Sequence, residues 1–80
     1  MTDFVAQAER YLILVEGGPP SNYSAWTPDL PGCVATGDDV DQCVRNLRDA
    51  IAFHLEGLAA QGEPVPEPSS GAGVYVAHAA

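Results

Sequence analysis

The sequence predicts one small α+β domain with the element order β-β-β-α-β. Three features predict it. Three short apolar segments are separated by glycine and proline clusters. A single helical stripe then runs without a break from Asp39 to Gly62, and a last apolar segment follows a proline-rich bridge. The first three strands form an antiparallel meander. The helix covers one face of it, and the crossover brings the final strand back parallel to the first.

Residues 1–9 carry little pattern and are read as an extended lead-in or a short helical turn. Arg10–Glu16 reads as the first strand, with Tyr11, Ile13 and Val15 on one face and Leu12 and Leu14 on the other. Both faces are apolar, so both call for cover. The cluster Gly17-Gly18-Pro19-Pro20-Ser21-Asn22 supplies a turn, and Tyr23–Thr27 completes a hairpin. The next five residues, Pro28-Asp29-Leu30-Pro31-Gly32, forbid a regular element and turn the chain into a third strand, Cys33–Thr36. Asp39 is suited to cap a helix, with Gln42 three places on completing a capping box. The stripe takes in Val40, Cys43, Val44, Leu47, Ala50, Ile51, His54, Leu55 and Leu58, which makes His54 a partly buried histidine. Gly62 stops the helix. Residues 63–68 alternate proline with other residues and are extended and stiff, 69–73 form a loose joint, and Val74–Ala77 is the last strand.

Eighty residues make one domain, with its core in about 10–77, and at this size burial is modest and self-association a natural support. The net charge of −8, with three arginines and no lysine, disfavours direct binding to phosphate backbones; it would attract and steer a basic partner, but charge by itself is more simply read as keeping the protein in solution. The missing lysine also excludes a P-loop. Cys33 and Cys43 are read as small buried groups in a reducing cytoplasm, and without a histidine pair nearby they make no zinc site. No apolar run is long enough to span a bilayer, and the N-terminus lacks the pattern of a signal peptide. Neither a cofactor nor a metal is expected. Nuclease chemistry would need convergent carboxylates; Glu16 and Glu56 are the candidates, and the last strand carries none.

Two blocks of sequence resemble the HicB-like antitoxin family. One is Tyr23-Ser24-Ala25-Trp26-Thr27-Pro28-Asp29-Leu30-Pro31-Gly32-Cys33-Val34-Ala35-Thr36-Gly37-Asp38. The other runs from Ala50-Ile51 through His54-Leu55-Glu56-Gly57-Leu58 to Gly62-Glu63-Pro64-Val65-Pro66-Glu67-Pro68. The resemblance implies a reduced RNase H-like fold without that enzyme's catalytic acids. It implies a homo-oligomer, dimer or tetramer, and a partner: a small basic HicA-like toxin that cleaves messenger RNA and is masked by burial of its RNA-contacting surface. Family members often add a C-terminal DNA-binding domain. This sequence ends at Ala80 without one, so operator binding is not carried over.

The reading is therefore a non-catalytic binding protein. Trp26 and Leu30 are its candidate apolar anchors for the partner, and Asp29, Asp49 and Glu56 its candidate charge partners. Leu12, Leu14 and Trp26 are candidates for an oligomer interface if the helix covers the sheet face bearing Tyr23, which puts them on the other face; the equal alternative is that Trp26 packs against the proline turn at Pro28 or Pro31. The alternatives are a solitary oligomer of the same fold with no toxin, and a degenerate RNase H-like nuclease.

Overall fold

A computed structural model describes residues 3–18, 21–69 and 71–78. Pro19 and Pro20 of the first turn, Ser70 of the joint, and the side chain of His78 lie outside the described residues. The order is α1 (Phe4–Ala8), β1 (Leu12–Gly17), β2 (Tyr23–Trp26), β3 (Val34–Gly37), α2 (Val40–Ala60) and β4 (Gly73–His78). The four strands form one sheet in the order β3-β2-β1-β4. β1 and β2 are antiparallel, as are β2 and β3, while β4 runs parallel to β1. This is the α+β arrangement that the sequence predicts, with strand ends shifted by one or two residues.

The N-terminal segment resolves into a helix. Asp3 caps α1 by accepting a hydrogen bond from the Ala6 amide (3.1 Å), and α1 packs against α2. Ala8, its last residue, and Tyr11, three residues on, are buried.

The ends of α2 follow from its sequence. Asp39 accepts from the Gln42 amide (2.7 Å), and the Gln42 side chain reaches back to the amide of Asp38 (2.6 Å), one residue earlier than in the usual box. At the other end Gly62 adopts φ +72°. The amide of Glu63 donates to the Leu58 carbonyl (2.9 Å) and that of Gly62 to the Ala59 carbonyl (3.1 Å). That pair of bonds satisfies two orphan carbonyls of the last turn.

The core lies between α2 and the inner face of the sheet. Ile13, Val15 and Ala25 meet Cys43, Val44, Leu47, Ile51 and Leu55 there, and Leu30 closes the end near the β2–β3 connection. Asn46 ties the helix to β3 by donating to the Thr36 carbonyl (2.8 Å).

His54 departs from expectation: it is exposed, not partly buried. The 21-residue helix is about 31 Å long, whereas the four residues of β3 span about 13 Å. The helix outruns the strand beneath it, so His54 lines an open groove shared with Cys33, Val34 and Gly57.

Candidate functional site

Strand register decides which side chains share the outer sheet face. Leu14 lies opposite Trp26 on β2 and opposite Tyr75 on β4, and Trp26 lies opposite Val34 on β3. With Leu12 these residues form one apolar row across all four strands, on the side away from α2. Leu12, Leu14 and Trp26 are half-buried by their neighbours, while Val34 and Tyr75 are each 66 % exposed. No helix of the described residues packs on this side. The row carries little charge: Ser24 and Thr36 lie beside it and Glu16 at its end. In a chain of net charge −8 it is a nearly neutral surface.

The other predicted contact residues are elsewhere. Asp49 and Glu56 are exposed on the outward side of α2, with the helix and the sheet between them and Trp26. One flat partner surface cannot touch both sets. Leu30 is 2 % exposed and belongs to the core, which removes it as an anchor. The reason is local. The Leu30 amide donates to the Thr27 carbonyl (3.3 Å) and the Cys33 amide to the Leu30 carbonyl (3.1 Å), a double turn that folds the side chain inward.

Asp29 has a partner within the chain. Its carboxylate accepts from the Ser69 amide (3.0 Å) and from the Ser69 hydroxyl. These hydrogen bonds hold its pKa below the usual carboxylate range. The Tyr11 hydroxyl donates to the Pro66 carbonyl, and burial, then the charges of Glu67 and Asp29, push its pKa up. Tyr11 and Asp29 thus pin the proline bridge at two points, which sets the path that delivers β4 alongside β1. The charged form of Asp29 is the one bonded in the folded state. Its contribution is present above the unfolded carboxylate pKa and is lost as pH falls through the lowered folded value. Asp29→Ala is expected to speed hydrogen exchange at the Ser69 amide at neutral pH and to lower Tm. The Tm gap to the parent should close below about pH 4, where the carboxylate starts to protonate. A gap that holds constant from pH 7 to pH 3 would remove the clamp as its cause.

The remaining reactive side chains have structural settings. Cys33 and Cys43 are free and buried, and desolvation raises both thiol pKa values. The Cys43 thiol points at the Ala35 carbonyl (3.7 Å). Glu16 and Glu56 do not converge, because Glu16 follows the outer sheet face and Glu56 sits on the far side of α2. Among the described residues no three His, Cys, Asp or Glu side chains are grouped so that they could hold a metal ion.

Three exposed apolar residues extend the contact surfaces beyond those read from sequence. Val34 and Tyr75 enlarge the sheet face, and Phe53 is 78 % exposed on α2. Alternation within each strand carried the signal for the first two. Phe53 lies outside the buried stripe, and its position there was the available sign.

Residues 11–78 match the family described as HicB_like antitoxin of bacterial toxin-antitoxin system. The chain is 34 % identical over 67 residues to the UPF0150 protein ssr1765 of Synechocystis, covering 84 % of this chain and 85 % of that protein. It is 25 % identical over 61 residues to the UPF0150 protein Ta0767 of Thermoplasma acidophilum, covering 76 % and 88 %. A protein of Haemophilus phage HP1, described as an uncharacterized 14.9 kDa protein in the rep-hol intergenic region, is 38 % identical over 45 residues; these make up 56 % of this chain and 34 % of the phage protein. With the matched span covering every strand and the long helix, the chain belongs to the HicB-like antitoxin family.

Proposed function

We propose that this chain is a non-catalytic, self-associating antitoxin that acts in the bacterial cytoplasm by covering the RNA-contacting surface of a small basic HicA-like toxin. The observation that carries the reading is the sorting of its surface by charge. A nearly neutral apolar sheet face, with Leu12, Leu14 and Trp26 at its centre, lies opposite a helix that carries Asp41, Asp49 and Glu56 together with Arg45 and Arg48, the acids prevailing toward its C-terminal half. Two acidic chains repel wherever their charges meet, so the neutral face is where a second copy approaches at least cost. The acidic remainder of the surface attracts a basic protein and speeds its encounter. Family membership supplies the class of partner. The masking itself is steric: a toxin surface buried against this chain is closed to messenger RNA.

Two measurements test the two halves. Co-expression with a HicA-like protein from the same genome should recover both chains together on pull-down, and toxicity should be lost. Recovery of this chain alone would count against toxin binding and favour the solitary oligomer. Trp26→Asp places a charge at the centre of the sheet face and should lower the mass seen by light scattering. An unchanged mass would remove that face as the self-association surface.

A further inference from the structure

We propose that the Phe53 ridge of α2 is the surface that docks the cationic partner, an inference that rests on the antitoxin reading above and assigns it a place on the molecule. Phe53 is the most exposed of the large apolar side chains described, at 78 %. It stands between two open grooves. One, of about 650 Å³, is lined by Phe4, Val5 and Ala52, with Asp3, Asp49 and Glu56 on its rim. The other, of about 440 Å³, is lined by Val34, Ala50, Gly57 and Leu58, with Glu63 at its end. Asp49, Phe53 and Glu56 follow the helical spacing of four and then three residues, so they form one row along the outside of α2.

Charge selects the occupant. Arg45 and Arg48 sit one to two turns before Phe53, beside Glu9 and Asp49. No lysine or arginine follows Arg48 anywhere in the sequence. The ridge from Phe53 onward is therefore flanked by carboxylates, with His54 as the nearby group that can become cationic. A second copy of this chain would bring the same acids against them. A protein with an apolar side chain ringed by lysine or arginine would fill a groove beside Phe53 and neutralise the rim.

Gly57 is an independent observation pointing the same way. It lies inside α2 with helical backbone angles, where glycine destabilises a helix relative to almost any other residue. Apart from its chain neighbours and the helix's own backbone, no described atom lies within 4 Å of where its Cβ would be. Among the described residues nothing requires glycine here, and the open space it leaves adjoins Phe53 one turn away. Close approach by another protein gives that space a use.

The test uses the full chain and an inactivated HicA-like protein of the same genome. Phe53→Ala removes the ridge, and Gly57→Gln fills the space beside it. Neither touches the core, and Gly57→Gln should melt no lower than the parent, so lost binding cannot be assigned to unfolding. Each variant is expected to bind roughly thirtyfold more weakly, the scale of an interface hot spot. Asp49→Asn combined with Glu56→Gln should slow association and flatten its dependence on salt. Tyr75→Asp, on β4 at the sheet edge farthest from both grooves, should bind as the parent does. If the parent binds and Phe53→Ala binds equally well, the ridge is wrong and the antitoxin reading stands. If the parent itself fails to bind, both fall. If Phe53→Ala instead lowers the oligomer mass, the occupant is a second copy and the proposal is overturned.

Discussion

Leu47→Ala is expected to lower the stability of this domain by about 3 kcal/mol, within the range of 2–5 kcal/mol for emptying a buried leucine site. Leu47 is completely buried at the middle of α2, with Cys43, Val44 and Ile51 one turn away on the same stripe. A domain of this size has a total stability on the order of 4–12 kcal/mol, so the loss is a large part of the whole. Thermal unfolding followed by circular dichroism should show Tm lower by roughly 12–24 °C, at 4–8 °C for each kcal/mol. Phe53→Ala removes a larger side chain from the same helix, yet should shift stability by no more than about 0.5 kcal/mol, because its ring is already in solvent. The contrast isolates burial from helix propensity. A Leu47→Ala loss below about 1 kcal/mol would mean that the core closes around the gap, which four short strands and one helix give it little means to do.

The same contrast explains what was legible in the sequence. The helix could be read to within a residue because three independent signals coincide on it: the Asp39 cap, the three-and-four stripe through Leu47 and Ile51, and the stop at Gly62. The strands could be read in order and in facing. Leu12, Leu14 and Trp26 share the outer face as alternation requires, since a period of two leaves no other choice once one face is buried. The short helix α1 was legible only as one of two readings of residues 1–9: five residues are too few for a periodic pattern to choose a helical turn over an extended lead-in, and its support comes from packing against α2. His54 departs from its spacing for a related reason. Its spacing fits the stripe, but spacing describes a helix without describing where the strand beneath it ends. Leu30 reads as an apolar anchor in a proline-rich loop, and the inward turn of its side chain depends on two backbone hydrogen bonds that composition does not encode. The clamp between Asp29 and Ser69 joins residues forty positions apart, beyond the reach of any local rule.

Gly37→Ala is the second large effect, and it comes from distance rather than backbone angle. Gly37 ends β3, two residues before the Asp39 cap, so the chain must pass directly from the sheet into the helix that covers it. The approach is close: a Cβ on Gly37 would lie 2.5 Å from the Cys43 nitrogen and 2.7 Å from its Cα. Those are backbone atoms of the first turns of α2, so no side chain can rotate away to make room. The added methyl must push the helix from β3, straining the Asn46 bond to Thr36 (2.8 Å) and the contact between the Cys43 thiol and Ala35. The expected cost is about 3 kcal/mol, at the upper end for overpacking, with faster hydrogen exchange concentrated at residues 40–47. Gly32→Ala serves as the control. Gly32 has φ +87° with nothing within 4 Å of its Cβ position, so its cost is that of a left-handed backbone alone, about 1–2 kcal/mol, with no loosening of α2. If the two substitutions cost the same and leave exchange in the helix unchanged, the close seating of α2 on β3 is not what fixes the angle between the helix and the sheet. If Gly37→Ala alone loosens the first turns, that one missing side chain sets how closely α2 seats on β3, and so the placing of the helix's outer face opposite the apolar sheet face.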